Sequence, residues 1–327
     1  MSAKVVAIAN RKGGVGKTTL GLSLAEGLAA LKNRRILVVD LDSQINMSTL
    51  VVGGTPAEQV PWKTGKSIVD LIEKKAFNAQ TKTSFFICRD VLDHQPGRAV
   101  SLLSGDPRLM GLERRLLVRP NTTVENVLAL MGKVIDDVLA EHADHYDVIL
   151  FDCPPGFSMA TEAALARADL VILPTAPTML ATQGIQAYVH YLENDLKIAD
   201  AAARTRVFLT MTGRTNTSAT FERLIRAEVE KPIPRYQVFD TSYAYSVGFQ
   251  EATDRRDQNI MKVRAVWRSL DRVRGRTMFH RLYKGVWKTV DKAVSELSDV
   301  LELKGASHAG STARKSVGGS FQHEARP

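Results

Sequence analysis

The sequence predicts an α/β fold, a doubly wound and mostly parallel sheet with helices on both faces, carrying a basic helical extension at its carboxyl end. Three observations predict it. Short, nearly all-apolar runs recur at residues 5–9, 36–40, 100–104, 148–152, 170–174 and 207–212. Strands covered by helices on both faces read this way. Helical stretches such as 18–31, 123–142 and 161–167 alternate with these runs, as βα units do. A glycine-rich turn stands between the first run and the first helical stretch. Right-handed crossovers place the loops after the strand carboxyl ends along one sheet edge, where ligands bind. Residues 53–65, rich in Gly, Pro and Thr, read as a surface loop.

The glycine-rich turn is Lys12-Gly13-Gly14-Val15-Gly16-Lys17-Thr18-Thr19. Strand, glycine-rich loop, Lys-Thr and helix are the parts of a P-loop, a cradle for phosphates. The glycines let backbone N–H groups close around phosphate oxygens. Lys17 brings charge to the β- and γ-phosphates, and Thr18 offers a hydroxyl to Mg²⁺. The following helix aims its positive dipole end at the anion. The fit to G-x-x-x-x-G-K followed by Ser or Thr requires Lys12 in the first glycine position. That second lysine is free to reach a charge elsewhere.

Two further motifs end strands in acids. Asp40 and Asp42 follow the apolar 36–40 run and, two apart, point to one side. Unpaired buried carboxylates are costly, so a magnesium ion or its waters is a natural partner for them. Asp152 ends the 148–152 run ahead of Cys153-Pro154-Pro155-Gly156, which is the Walker B pattern of an acid holding a magnesium-bound water. The expected cofactors are ATP and Mg²⁺.

These residues resemble the ParA/MinD superfamily of deviant Walker A ATPases. Lys-Gly-Gly-Val-Gly-Lys-Thr-Thr is similar to its phosphate loop, and Asp40-Leu41-Asp42-Ser43-Gln44-Ile45-Asn46 to its D-x-D-x-Q-x-N motif. Asp152 with Cys-Pro-Pro-Gly, residues 173–177, and residues 209–211 with Arg214-Thr215-Asn216 extend the likeness over roughly residues 3 to 250. The resemblance implies that Lys12 crosses a dimer interface to the partner subunit's nucleotide. It implies that Asp40 lies near Mg²⁺ and that Asp42 orients the attacking water. It points to partition ATPases without an amino-terminal helix-turn-helix domain, since the chain starts at the P-loop strand. Residues 239–250 hold no arginine, where related partition ATPases often carry one for DNA.

Composition narrows the partners. The chain has 327 residues, 44% hydrophobic and 24% charged, enough for a sizeable core. Aromatics at 6% argue against a single-strand binder built on stacking. A net charge of +9 points to a polyanion, either nucleic acid or an anionic membrane surface. Cys88 and Cys153 make neither a disulfide scaffold nor a zinc pair, and His142 with His145 lack further ligands. No signal peptide or apolar run of about 18 residues is present, so a cytoplasmic protein is expected.

The positive charge gathers between residues 255 and 288. Arg264, Arg268 and Arg272 recur every four residues as one helical stripe, and Arg274 and Arg276 flank a turn. Such a stripe suits DNA phosphates, which need charge and no base-reading code. A second amphipathic stretch covers 279–303. The expected division is an ATPase domain at 1–250, a basic helical extension packed on it at 251–304, and a disordered tail at 305–327. The function expected is an ATP-driven homodimer that binds double-stranded DNA non-specifically. It would position a plasmid, chromosome or protein cluster with a ParB-like or cargo-adaptor protein that stimulates slow hydrolysis, as a nucleoid-associated ATPase. The alternative is a MinD-like membrane-cycling regulator. The polar tail, in place of a terminal amphipathic helix, argues against membrane binding.

Overall fold

The computed structural model describes residues 2–52, 59–78, 80–95, 98–213, 215–245 and 287–303. Its strands are β1 (Lys4–Asn10), β2 (Ile36–Asp40), β3 (Cys88–Gln95), β4 (Arg98–Leu103), β5 (Val148–Pro155), β6 (Leu170–Thr175), β7 (Thr205–Thr212), β8 (Gln237–Val238) and β9 (Tyr243–Ala244). They join in the order β3-β4-β2-β5-β1-β6-β7-β8, with β9 also on β7. All pairings are parallel except β3 on β4, which is antiparallel.

Side-chain alternation sorts the strands onto two cores. Val5, Ala7, Ala9, Leu37, Val39, Ile149 and Phe151 face one core. Their neighbours Val6, Ile8, Ile36, Val38, Val148 and Leu150 face the other. A period-2 chain buried on both sides must be apolar at every position, and this is why the sequence runs lack alternation. The first core is closed by α3 (Ile68–Phe77), α4 (Leu109–Leu117), α5 (Val124–His142), α6 (Met159–Arg167), α7 (Met179–Asn194), α8 (Ala201–Arg204) and α9 (Asn216–Arg226). The second is closed by α1 (Lys17–Lys32), α2 (Asn46–Val52) and α10 (Trp287–Val300).

The helix α10 lies in the 279–303 amphipathic stretch and packs on α1. It buries Val290, Ala293, Val294 and Leu297 beside Leu24 and Leu28. Fully burying Val290, Val294 and Leu297 contributes about 1.5–3 kcal/mol for each side chain. Glu296 accepts the backbone N–H groups of Asp240 and Thr241 and so ties α10 to the segment after β8. Of the residues expected to form a loop, 61–63 make a short 3₁₀ turn, while 53–58 lie outside the described residues. The expected tail, 305–327, also lies outside them.

Candidate nucleotide site at the carboxyl edge of the sheet

The parallel strands β1, β2 and β5 are adjacent, so the segments following them share one edge. After β1 the loop 11–16 turns into α1. Gly14 and Gly16 adopt φ of 70° and 84°, the left-handed region where a side chain would strain the backbone. Helices α3, α5, α6 and α9 start with a Ser or Thr side chain accepting a first-turn N–H. Helix α1 starts at Gly16 with no side-chain cap and no acid in its first turn. Its opening N–H groups therefore suit an external anion.

Three strands hold the loop in place. Asn10 Nδ2 donates to the Pro174 carbonyl at the end of β6 (2.8 Å), and Thr210 Oγ1 on β7 donates to the Val15 carbonyl (2.9 Å). Thr18 Oγ1 donates to Asp152 Oδ2 on β5 (2.9 Å). Lys17 is buried, and its Nζ donates to the carbonyls of Asn10 (3.3 Å) and Lys12 (3.1 Å), which curls it into the loop. Burial pushes the Lys17 ammonium below its usual value, against the opposing pull of Asp152 and Asp42. Lys12, by contrast, is exposed, and so are Gly13 and Gly14.

The acids gather beside this loop. Asp40 and Asp152 are paired across the β2–β5 register, and both are almost fully buried. Burial raises both carboxyls above their usual range, and their mutual repulsion raises Asp152 further. Hydrogen bonds from Ser48 and from the Asp42 N–H pull Asp40 down, and the Thr18 hydroxyl pulls Asp152 down. Asp42 is buried too, and its Oδ1 accepts the Gln44 N–H (2.9 Å).

The expected metal fits here. Asp152 Oδ1 is buried with no hydrogen-bond partner among the described residues, next to the Thr18 hydroxyl. Magnesium keeps much of its water and takes one or two protein oxygens plus phosphates, so a closed protein cage is not needed. Asp40 is placed differently from its neighbour. Its Oδ1 accepts the Asp42 N–H (3.0 Å), and its Oδ2 accepts the Ser48 N–H (2.9 Å) and Oγ–H (2.6 Å). Ser48 and the loop anchor Asn10 carry no motif signal in the sequence, and Thr210 belongs to the family-like 209–211 stretch without a signal that it anchors the loop. Cys153 is buried, and burial pushes its thiol up, as suits a packed residue. His142 bonds Thr83 Oγ1 through Nε2 (2.9 Å), and its ring centre is 6.0 Å from that of His145. Arg214, Arg264, Arg268, Arg272, Arg274 and Arg276 lie outside the described residues.

Comparison with known proteins bears on the family and the fold. Residues 3–201 match a family model described as an AAA domain. An uncharacterised protein of Pseudomonas putida is 30% identical over 253 residues, covering 76% of this chain and 84% of its own. The chromosome partitioning protein ParA of Caulobacter vibrioides is 31% identical over 191 residues, 58% of this chain and 62% of that one. The chain belongs to the ParA/MinD family of ATPases. The ParA relative is matched over less than two thirds of its length, so the match speaks for the nucleotide-binding region. Among solved structures, a variant of Cyanothece McdA in complex with ATP superposes with a TM-score of 0.64 at 16% identity, covering 92% of this chain and 97% of that one. A putative plasmid partition protein of Borrelia burgdorferi bound to AMPPNP gives 0.57 at 18%, covering 75% and 88%. Cobyrinic acid a,c-diamide synthase of Mycobacterium smegmatis, with ADP and magnesium, gives 0.55 at 23%, covering 84% and 98%. At these identities the structures share the ParA/MinD fold, a mostly parallel sheet with helices.

Proposed function

We propose that this ParA-type ATPase dimerises on ATP, binds duplex DNA without sequence preference, and positions a cargo with a partner protein that accelerates otherwise slow hydrolysis. The observation that carries the reading is the contrast between its two loop lysines. Lys17 is buried and turned into its own loop, while Lys12 is exposed beside it, and among the described residues its carbonyl, not its ammonium, is engaged. An exposed cation at the rim of a phosphate cradle is placed to meet a charge brought by another molecule. In this reading that charge is the nucleotide of a second subunit, and the two phosphate sites face each other.

Within one subunit, residues 13–19 would hold the phosphates, Lys17 by charge and the others by backbone N–H groups. Thr18 and Asp152 would hold Mg²⁺, with Asp40 beside them. When bound, Mg²⁺ supplies charge neutralisation on the phosphates. Asp42, at the same edge, would orient the attacking water. DNA contact is assigned to Arg264, Arg268, Arg272, Arg274 and Arg276, which a dimer presents twice. The net charge of +9 supports a polyanion partner. No described helix is long and apolar enough to cross a membrane. The cargo-side partner would be a ParB-like protein or another adaptor, and the site of action the nucleoid.

Light scattering of the Lys12→Ala variant with ATP tests the reading. The variant is expected to bind ATP and stay monomeric under conditions where the parent dimerises. A normal ATP-dependent dimer would remove the cross-subunit role.

A further inference from the structure

We infer that Ser48 is a positioning residue for hydrolysis, holding Asp40 as the internal brace that fixes the backbone bearing Asp42. This deepens the proposed function and rests on Asp42 acting on the attacking water. Asp40 sits at 0% exposure and spends three acceptor positions inside the chain: Oδ1 on the Asp42 N–H, Oδ2 on both the N–H and the hydroxyl of Ser48. A carboxylate offers about four such positions, so most of its capacity goes to the loop 41–48. The Asp42 carbonyl accepts the Ile45 N–H (3.0 Å) and its carboxylate accepts the Gln44 N–H, which closes the loop on itself.

Ser48, also fully buried, completes the brace from the other side. Its Oγ–H is given to Asp40, and its oxygen accepts the Gly105 N–H (2.8 Å), 57 residues along the chain. Ser48 thus orients Asp40 with a hydroxyl whose own direction is set by the end of β4. That end is clamped in turn. Ser104 bridges Ser67, and Asp106 accepts Ser67 Oγ–H (2.8 Å) and Arg108 Nη2–H (2.6 Å). Arg108 also reaches Asp70 (2.7 Å) at the start of α3. Gly105 leaves no slack: a Cβ there would stand 2.9 Å from Asp40 Cγ and 3.0 Å from the Asp42 carbonyl. A run of hydrogen bonds therefore links a half-exposed ion-pair cluster to the amide of Asp42. An error of about 1 Å in a catalytic group can cost on the order of 10²-fold in rate, so such a brace bears on turnover rather than on nucleotide binding.

The test compares Ser48→Ala, Ser48→Thr and Gly105→Ala with the parent and with Asp42→Ala. Steady-state ATPase assays are read with hydrogen–deuterium exchange over residues 41–48. Ser48→Ala is expected to lower kcat on the order of tenfold with KM unchanged, and to speed exchange in the loop. Ser48→Thr, which keeps the hydroxyl, should restore both. Gly105→Ala should lower kcat without raising KM, and it stands in if Ser48→Ala does not fold. Parent-like kcat in Ser48→Ala or Gly105→Ala overturns the inference, as does Ser48→Thr failing as badly as Ser48→Ala. Loss of turnover in Asp42→Ala beside parent-like Ser48→Ala overturns the brace alone and leaves the function standing. Normal turnover in Asp42→Ala overturns the functional reading itself, and the brace with it.

Discussion

Thr18 Oγ1 donates a 2.9 Å hydrogen bond to Asp152 Oδ2, joining the first turn of α1 to the end of β5 across 134 residues of sequence. The bond satisfies one oxygen of Asp152 and leaves Oδ1 buried with no hydrogen-bond partner among the described residues. The Lys17 ammonium pulls on the Asp152 carboxyl electrostatically.

The buried Asp152 carboxyl has a stability consequence. Burial and Asp40 raise the Asp152 carboxyl above its unfolded value, so ionising it in the folded chain costs stability. The penalty is absent below the unfolded pKa and grows as pH rises through the folded one. Asp152→Asn should thus stabilise the nucleotide-free protein by about 1–3 kcal/mol at pH 8, with the gain shrinking towards pH 4. Thermal melts of both proteins across this range check it. Millimolar Mg²⁺ with ATP should reverse the order by favouring the parent.

Lys17→Ala removes a buried ammonium whose hydrogen-bond partners among the described residues are loop carbonyls. Charge-assisted bonds to phosphate are roughly twice as strong as neutral ones. ATP affinity should fall on the order of 10²-fold, read by calorimetry or a fluorescent nucleotide. Near-normal affinity would sink the phosphate-loop assignment.

Asp42→Ala leaves Thr18 and Asp152 untouched, so ATP binding should persist within about threefold while turnover falls on the order of 10²-fold or more. The variant should accumulate as an ATP-bound dimer. Phosphate release and sedimentation report the two halves of the expectation. Unchanged hydrolysis would move the role to another acid.

Replacing Arg264, Arg268 and Arg272 together by alanine should leave ATP binding intact and weaken DNA binding. Each lost phosphate contact should flatten the slope of log affinity against log salt by about 0.9. A dimer loses the contacts of both subunits at once, which magnifies the effect. Parent-like DNA affinity at every salt concentration would make the stripe a solvated face.

Much of the fold was legible because the inner strands of a doubly wound sheet must be apolar throughout. The runs at 5–9, 36–40 and 148–152 match β1, β2 and β5 to within about three residues at either end. The strand β3 was not, since Cys88-Arg89-Asp90 opens an antiparallel edge strand with a partner on one side only, where charge is tolerated. Within the site, the glycines, lysines and strand-end acids were readable because their chemistry needs fixed spacing. Asn10, Ser48 and Gly105 were not, nor was the contact that Thr210 makes with the loop. They act through contacts between segments far apart in sequence, which no local pattern records.

The helix that opens at the phosphate loop is covered by the helix at residues 287–300. A chain emerging from the ribosome makes Leu20, Leu24 and Leu28 long before Val290, Val294 and Leu297 of the helix that packs on α1. Until α10 is synthesised, the apolar residues of α1 that it packs against lack that cover, a closure of long range in sequence. A nascent chain stalled before residue 287 would lack that cover and would expose part of the apolar face of α1 as a sticky surface.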